Sequence, residues 1–111
     1  MGEKGARLTG AAVEVGDTLV EELAPLGDVR AKKMFGGVGV FADDVMFVII
    51  DSTGKVFLRT DEDTSGRYEA AGGEKHGRMP YYSVPEDILG DEAALAEWAS
   101  EALRVAAAAK K

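Results

Sequence analysis

The sequence predicts an α+β fold, in which an antiparallel meander of four to five strands carries the N- and C-terminal helices packed on it. Two observations predict this class. Apolar residues recur at helical spacing near both ends of the chain, whereas the period changes to two between residues 29 and 60, with turn-forming residues at short intervals. Terminal helices packed on one face of such a sheet form a two-layer domain.

The first helix is predicted at about residues 9–26. Thr9 is its expected N-cap, and Gly10 and Gly16 each weaken it by about 1 kcal/mol relative to alanine. Pro25 and Gly27 are expected to end it, because proline cannot stay inside a helix and glycine accepts a left-handed cap. Its apolar face comprises Leu8, Ala12, Val15, Leu19 and Leu23.

The meander follows as three hairpins in succession. Asp43 and Asp44 can form a tight turn, because aspartate tolerates positive φ better than most residues. The third strand has apolar residues on both faces and is therefore expected in the middle of the sheet. The predicted strands are 29–35, 38–42, 45–51 and 55–60, separated by turns at 36–37, 43–44 and 52–54.

Shorter elements complete the chain. A short helix between residues 61 and 73 is expected to carry Tyr68 to the core, and residues 79–83 form a candidate edge strand. A helical turn over 85–89 precedes a final helix that Asp91 caps. The apolar face of that helix comprises Leu95, Trp98, Ala99, Ala102, Leu103 and Ala106.

In this predicted arrangement the second face of the sheet is not covered by helices. Several apolar strand residues alternate with those assigned to the core, and a bare apolar face usually marks an interface. The sequence therefore predicts a homodimer through this face; the alternative is that the terminal helices wrap both faces. The residues concerned are Phe41, Met46, Val48, Ile50 and Phe57.

Composition limits the possible functions. The 111 residues suit one domain, 1–111, and the absence of cysteine excludes disulfides, thiolate metal sites and cysteine nucleophiles. The longest wholly apolar run, Val45–Ile50, is far below the ~20 residues of a spanning helix, so a cytoplasmic protein without membrane contact is expected. A net charge of −7 makes direct binding of nucleic acid unfavourable over most of the surface.

No catalytic, cofactor-binding or metal-binding set is written in the sequence. His76, the single histidine, stands in a Gly- and Lys-rich stretch and is best interpreted as a surface-loop residue. The glycines of residues 36–39 lack the Gly-Lys-Ser/Thr ending of a phosphate loop and precede a strand, so a hairpin explains them better. The acidic pairs lie at turns and at a helix start, where carboxylates have structural roles.

The sequence contains one basic cluster in an otherwise acidic chain. Arg30, Lys32 and Lys33, with Arg59 expected nearby across the sheet, are either solvated strand residues or a docking patch for an acidic protein surface or a phosphate backbone. In the pair Tyr81 and Tyr82, one ring is expected to pack inward. The other ring would face out, where it could serve as an interface anchor.

Two motifs resemble a known family. Residues 29–47 read VRAKKMFGGVGVFADDVMF and residues 79–85 read MPYYSVP, and this combination resembles the N-terminal domain of the TfoX (Sxy) family of competence regulators. The similarity covers about residues 15–106, apart from a shortened stretch between 73 and 79. This resemblance implies an α+β fold, and it implies no catalytic residues for this chain. Full-length members resemble transcriptional co-regulators that act with a cyclic-AMP-responsive activator, and they carry a C-terminal domain that is expected to be absent here.

Three functions are compatible with these observations. The first is a non-enzymatic regulatory or protein-interaction domain, of the transcriptional co-regulator type, with a transcription regulator as partner. The second is direct nucleic-acid binding through the basic strand residues. The third is a small-ligand-binding domain or an enzyme that uses a pocket between sheet and helices.

Overall fold

The computed structural model describes residues 3–34 and 36–109, and of residues 3–10 only the backbone. Its elements follow the predicted order, and the α+β class is confirmed. A 3₁₀ turn, Ala24–Leu26, follows the first helix. The helices and strands are α1 (Glu3–Glu22), β1 (Val29–Met34), β2 (Gly37–Ala42), β3 (Val45–Ile50), β4 (Val56–Arg59), α2 (Ser65–Ala70), β5 (Tyr81–Ser83), α3 (Glu86–Leu89) and α4 (Glu92–Ala109).

The sheet is a continuous antiparallel meander in the order β1-β2-β3-β4-β5. The predicted Asp43-Asp44 turn is confirmed, with φ values of 50° and 70° at these two residues. The other hairpin turns contain Gly36 and Gly54 at φ 69° and 90°, where a residue with a side chain would be strained. Phe35, predicted as the last residue of the first strand, lies outside the described residues.

The first helix begins and ends earlier than predicted. It starts at Glu3, so Thr9 lies inside it and is not its N-cap. It stops at Glu22 because Pro25 has no N–H to donate, and the chain continues as the 3₁₀ turn instead. Of its predicted apolar face, Ala12, Leu19 and Leu23 are buried and Val15 is half-buried, whereas the side chain of Leu8 lies outside the described residues.

Both long helices pack on the same face of the sheet. α1 crosses β1 and β2, and α4 crosses β3 and β4. Gly16, expected only to weaken α1, permits this approach, since a Cβ there would lie 3.2 Å from Val38 Cγ1. The predicted cap of α4 is confirmed, because Asp91 Oδ1 accepts hydrogen bonds from the N–H groups of Ala93 and Ala94.

A β-bulge in β3 changes which residues face the helices. Val40 pairs with Val48 but Phe41 pairs with Met46, so Phe47 is an extra residue on β3. Phe47 and Val48 consequently both belong to the main core under the helices, as does Ile50, and all three are fully buried. The assignment of Val48 and Ile50 to the uncovered face was therefore wrong, because strict alternation does not continue through a bulge.

Candidate functional site

The sheet face opposite the helices carries a second, smaller apolar cluster. We call this side the open face and define it by Phe41, Met46, Ile49, Phe57 and Tyr81. Ile49, Phe57 and Tyr81 pack together with Met46 against them, and they are only 8%, 5% and 2% exposed. The open face is thus largely shielded from solvent, although none of the described helices lies on it.

The loop between α2 and β5 supplies part of the shield. The His76 N–H donates a hydrogen bond to the Tyr81 carbonyl at 2.8 Å, which draws this loop alongside β5. The His76 ring then stands edge-on to Phe57, with 4.7 Å between centroids. His76 is therefore a half-buried packing residue, not the surface-loop residue that the sequence predicted, because only the folded loop brings it to Phe57.

Cationic side chains supply the rest of the shield. Lys32 Nζ lies 5.5 Å from the Phe41 ring centroid, and the Arg59 guanidinium carbon lies 6.0 Å from that of Tyr81. Lys55 extends over the Phe57 ring at 5.8 Å. An aromatic face attracts a cation through its quadrupole, so each pair places a positive charge above an apolar ring.

Arg30 belongs to the same face. It lies directly opposite Phe41 in the sheet register, next to Lys32 along the face. A hydrogen bond to Asp28, with the charge of that carboxylate, raises the pKa of Arg30. We call Arg30, Lys32 and Arg59 the basic patch.

Lys33, predicted with this cluster, lies on the other side of the sheet. Successive residues of a strand point to opposite faces, so Lys33 shares the helix side with Ala31. There it borders a small cavity together with Val13 and Asp17 of α1. The structure therefore places Arg30, Lys32 and Arg59 on one face, with Arg59 three strands away from the other two, and separates Lys33 from them.

The two adjacent tyrosines also divide between the faces. Tyr81 is buried on the open face, and its hydroxyl donates to the Met46 carbonyl at 3.2 Å; burial raises its pKa. Tyr82 is half-buried on the helix side, where its hydroxyl donates to Glu69 Oε2 at 2.6 Å, a bond that raises the pKa of Tyr82. Neither ring is a free anchor, although Tyr82 keeps some contact with solvent.

Two methionines that sequence reasoning missed are the large apolar side chains most exposed among the described residues. Met34 is 43% and Met79 40% exposed. Together with Ile49 and His76 they border a cleft of about 350 Å³ at one end of the open face. Their exposure at this cleft gave no sequence signal, because it depends on the pairing of β5 with β4, which places the loop against the open face.

A separate groove of about 360 Å³ lies on the helix side. Val15 and Leu19 of α1, Val56 of β4 and Leu95 of α4 form its apolar wall, and Glu14 and Glu22 are at its rim. This is the pocket between sheet and helices that a small ligand would need.

These features define a class of protein: a two-layer α+β domain with a helix-covered core and a cation-bordered open face. The sequence matches the TfoX N-terminal domain family over residues 21–106, which is more than half of the chain, and the chain belongs to this family. Membership suggests a regulatory role in competence, and the family is not a known enzyme family. The comparison with curated proteins gave no match. Within the described residues, no helix is long and apolar enough to cross a membrane.

Proposed function

We propose that this domain is a non-catalytic regulatory module that binds an acidic surface of a transcription regulator through the basic patch. One observation carries the proposal: Arg30, Lys32 and Arg59 share the open face of a chain whose net charge is −7, with Arg30 also ion-paired to Asp28 at 3.0 Å. A local patch of opposite sign gives an acidic protein a directional attraction for an acidic partner.

The apolar floor beneath the patch strengthens this interpretation. Phe41 is half-buried beside Arg30 and Lys32, so a partner that contacts these cations also covers aromatic surface, whereas Tyr81 beneath Arg59 is already buried. Interfaces of this kind draw their affinity from aromatic and arginine residues more than from rim charges. Family membership supports the regulatory role, and the partner's identity as a transcription regulator is part of the proposal.

The test is affinity capture from the native cell, with and without nuclease, read by mass spectrometry. The test variant carries Arg30→Glu, Lys32→Glu and Arg59→Glu. Its matched control, Lys75→Glu with Arg78→Glu and Arg104→Glu, makes the same change in net charge at three exposed positions outside the patch.

We expect wild type and control to retain a transcription regulator after nuclease treatment, and the patch variant to lose it. Equal retention by the patch variant would rule the basic patch out as the contact. Capture that disappears with nuclease for every chain would instead favour direct nucleic-acid binding, with an affinity that falls steeply with salt.

A further inference from the structure

β1 is an edge of the sheet that no other strand covers. On its inner side it pairs with β2, and among the described residues no strand lies on its outer side. The opposite edge is different, because the loop before β5 continues the sheet there: Lys75 bridges Tyr82, and the Ser83 N–H donates to the Glu74 carbonyl at 2.8 Å. β1 is therefore the edge at which another strand can add.

The register shows which backbone groups of β1 face outward. The Asp43 N–H donates to the Asp28 carbonyl, so Asp28 and Asp43 bond across the hairpin. In an antiparallel pair such bonded positions alternate, which directs the backbone groups of Arg30 and Lys32 toward β2. The alternate positions, Val29, Ala31 and Lys33, direct their N–H and C=O groups away from the sheet.

The charges of β1 select what can pair with it. Arg30, Lys32 and Lys33 are all exposed on this six-residue strand, which has no acidic residue. Antiparallel pairing of β1 with β1 of a second copy would set these cations against one another, and like charges directly opposite are destabilising. An acidic segment would place negative charges opposite these cations. The side chains that disfavour self-pairing therefore favour pairing with an acidic segment.

Two cavities flank the strand, one on each face. On the open face a cavity of about 520 Å³ is bordered by Arg30, Ala31, Lys32, Phe41 and Asp44. On the helix side a smaller one of about 110 Å³ is bordered by Val13 and Lys33, among others. The side chains of an added strand would alternate between a larger space beside Arg30 and Lys32 and a smaller one beside Ala31, Val13 and Val38.

We propose that β1 accepts an extended acidic segment of the partner as an additional antiparallel strand. Its carboxylates lie over Arg30 and Lys32, and its small apolar residues lie beside Ala31 in the smaller cavity. Main-chain hydrogen bonds to Val29, Ala31 and Lys33 hold the segment, and the alternating cavities select it. This inference rests on the proposed function, whose partner it describes more closely.

The probe is a short acetylated and amidated peptide in which glutamate alternates with valine. A residue that exchanges hydrogen bonds with Ala31 lies on the same sheet face as Ala31, so the valine N–H groups are the ones that donate to β1. A control peptide carries N-methylvaline at every valine, which keeps all charges and removes these donors. Binding is followed through the backbone amide signals of the ¹⁵N-labelled protein.

Two substitutions of Lys33 distinguish the contribution of its backbone N–H from that of its charge. Lys33→Pro removes an outward N–H, a change that an edge strand tolerates. Lys33→Ala removes the same charge and keeps the N–H. We expect the valine peptide to shift the amide signals of β1, the N-methylated peptide to leave them unchanged, Lys33→Pro to lose binding, and Lys33→Ala to weaken it by about fivefold or less.

Equal binding of the two peptides, no shift in β1 at low salt, or full binding by a folded Lys33→Pro would each overturn strand addition. Circular dichroism verifies that the variant is folded. Lys33→Pro is also carried through the affinity capture. If it retains a partner that the patch variant loses, strand addition is wrong and the proposed function stands; if it loses that partner while Lys33→Ala retains it, both stand.

Discussion

Asp51 shows how one side chain determines a turn. The sequence placed it at the end of the third strand, but β3 stops at Ile50 and the Asp51 carboxylate organises the next turn. Its Oδ1 accepts hydrogen bonds from the Thr53 N–H, the Thr53 hydroxyl and the Lys55 N–H at 3.0, 2.6 and 3.0 Å. Partial burial opposes ionisation, but these bonds outweigh it and lower the pKa of Asp51.

The lowered pKa predicts a pH-dependent stability. Because the folded chain binds this proton less readily than the unfolded chain, the stabilisation is present above about pH 5 and is lost as the pH falls through and below about 4. We expect Asp51→Ala to lower the free energy of unfolding by about 1 kcal/mol near neutral pH, a value reduced for solvent screening. Urea denaturation at several pH values measures this difference.

The control is Asp51→Asn, which keeps a carbonyl acceptor without the titration. Its difference from wild type should be smaller than that of Asp51→Ala near neutral pH. An Asp51→Ala difference that stays constant down to about pH 3 would show that the ionised carboxylate is not what stabilises the turn.

Two glycines of β2 show how the packing around a strand determines the effect of a substitution. Gly37 and Gly39 belong to the same strand, but their neighbours differ. A Cβ at Gly37 would collide with the backbone carbonyl oxygen of Ile50. A Cβ at Gly39 would lie 2.5 Å from Met34 Sδ and 2.9 Å from Met46 Sδ, which are parts of flexible side chains.

These neighbours predict unequal effects of the same substitution. Gly37→Ala should cost about 3 kcal/mol because the strand backbones must separate, whereas Gly39→Ala should cost about 1 kcal/mol because thioethers can rotate away. Gly66→Ala in α2 is the control, since nothing lies within 4 Å of its added Cβ and alanine favours a helix. Chemical denaturation of the three variants ranks them, and equal losses at residues 37 and 39 would contradict this account.

The predicted homodimer depends on how much apolar surface the whole molecule exposes. The open face is better shielded than the sequence predicted, and its most exposed apolar residues are Met34 and Met79. A stable interface buries about 800 Å² on each partner, more than two methionines supply. We therefore expect a concentration-dependent dimer through this end of the open face, one that Met34→Lys with Met79→Lys converts to a monomer.

Light scattering over a concentration series measures this equilibrium. Met34→Leu with Met79→Leu is the control, because it keeps apolar surface of similar size. A wild-type chain that stays monomeric at tens of micromolar would end the dimer prediction, and it would leave the basic patch free for a partner.

The sequence by itself determined the fold class, the order of the elements and the meander. These follow from local patterns: the change of period at residue 29, the Asp43-Asp44 turn and the Asp91 cap all act within a few residues of the chain. The family was also readable from the motifs. Arg30 and Lys32 could be predicted to share a face because strand alternation is a local property, whereas the face of Arg59 depends on the strand pairing beyond the bulge.

Only the tertiary structure decided which face each strand residue occupies beyond the bulge and what covers the open face. Phe47 is an extra residue on β3, so it and Val48 both face the helices, which strict alternation along the sequence does not predict. The hydrogen bonds of His76 and Met79 to Tyr81 span five residues or fewer, but the place of this loop on the open face follows from the pairing of β5 with β4 and from the contact of His76 with Phe57. Such long-range contacts have no period in the sequence, because they depend on where the completed sheet places its edge.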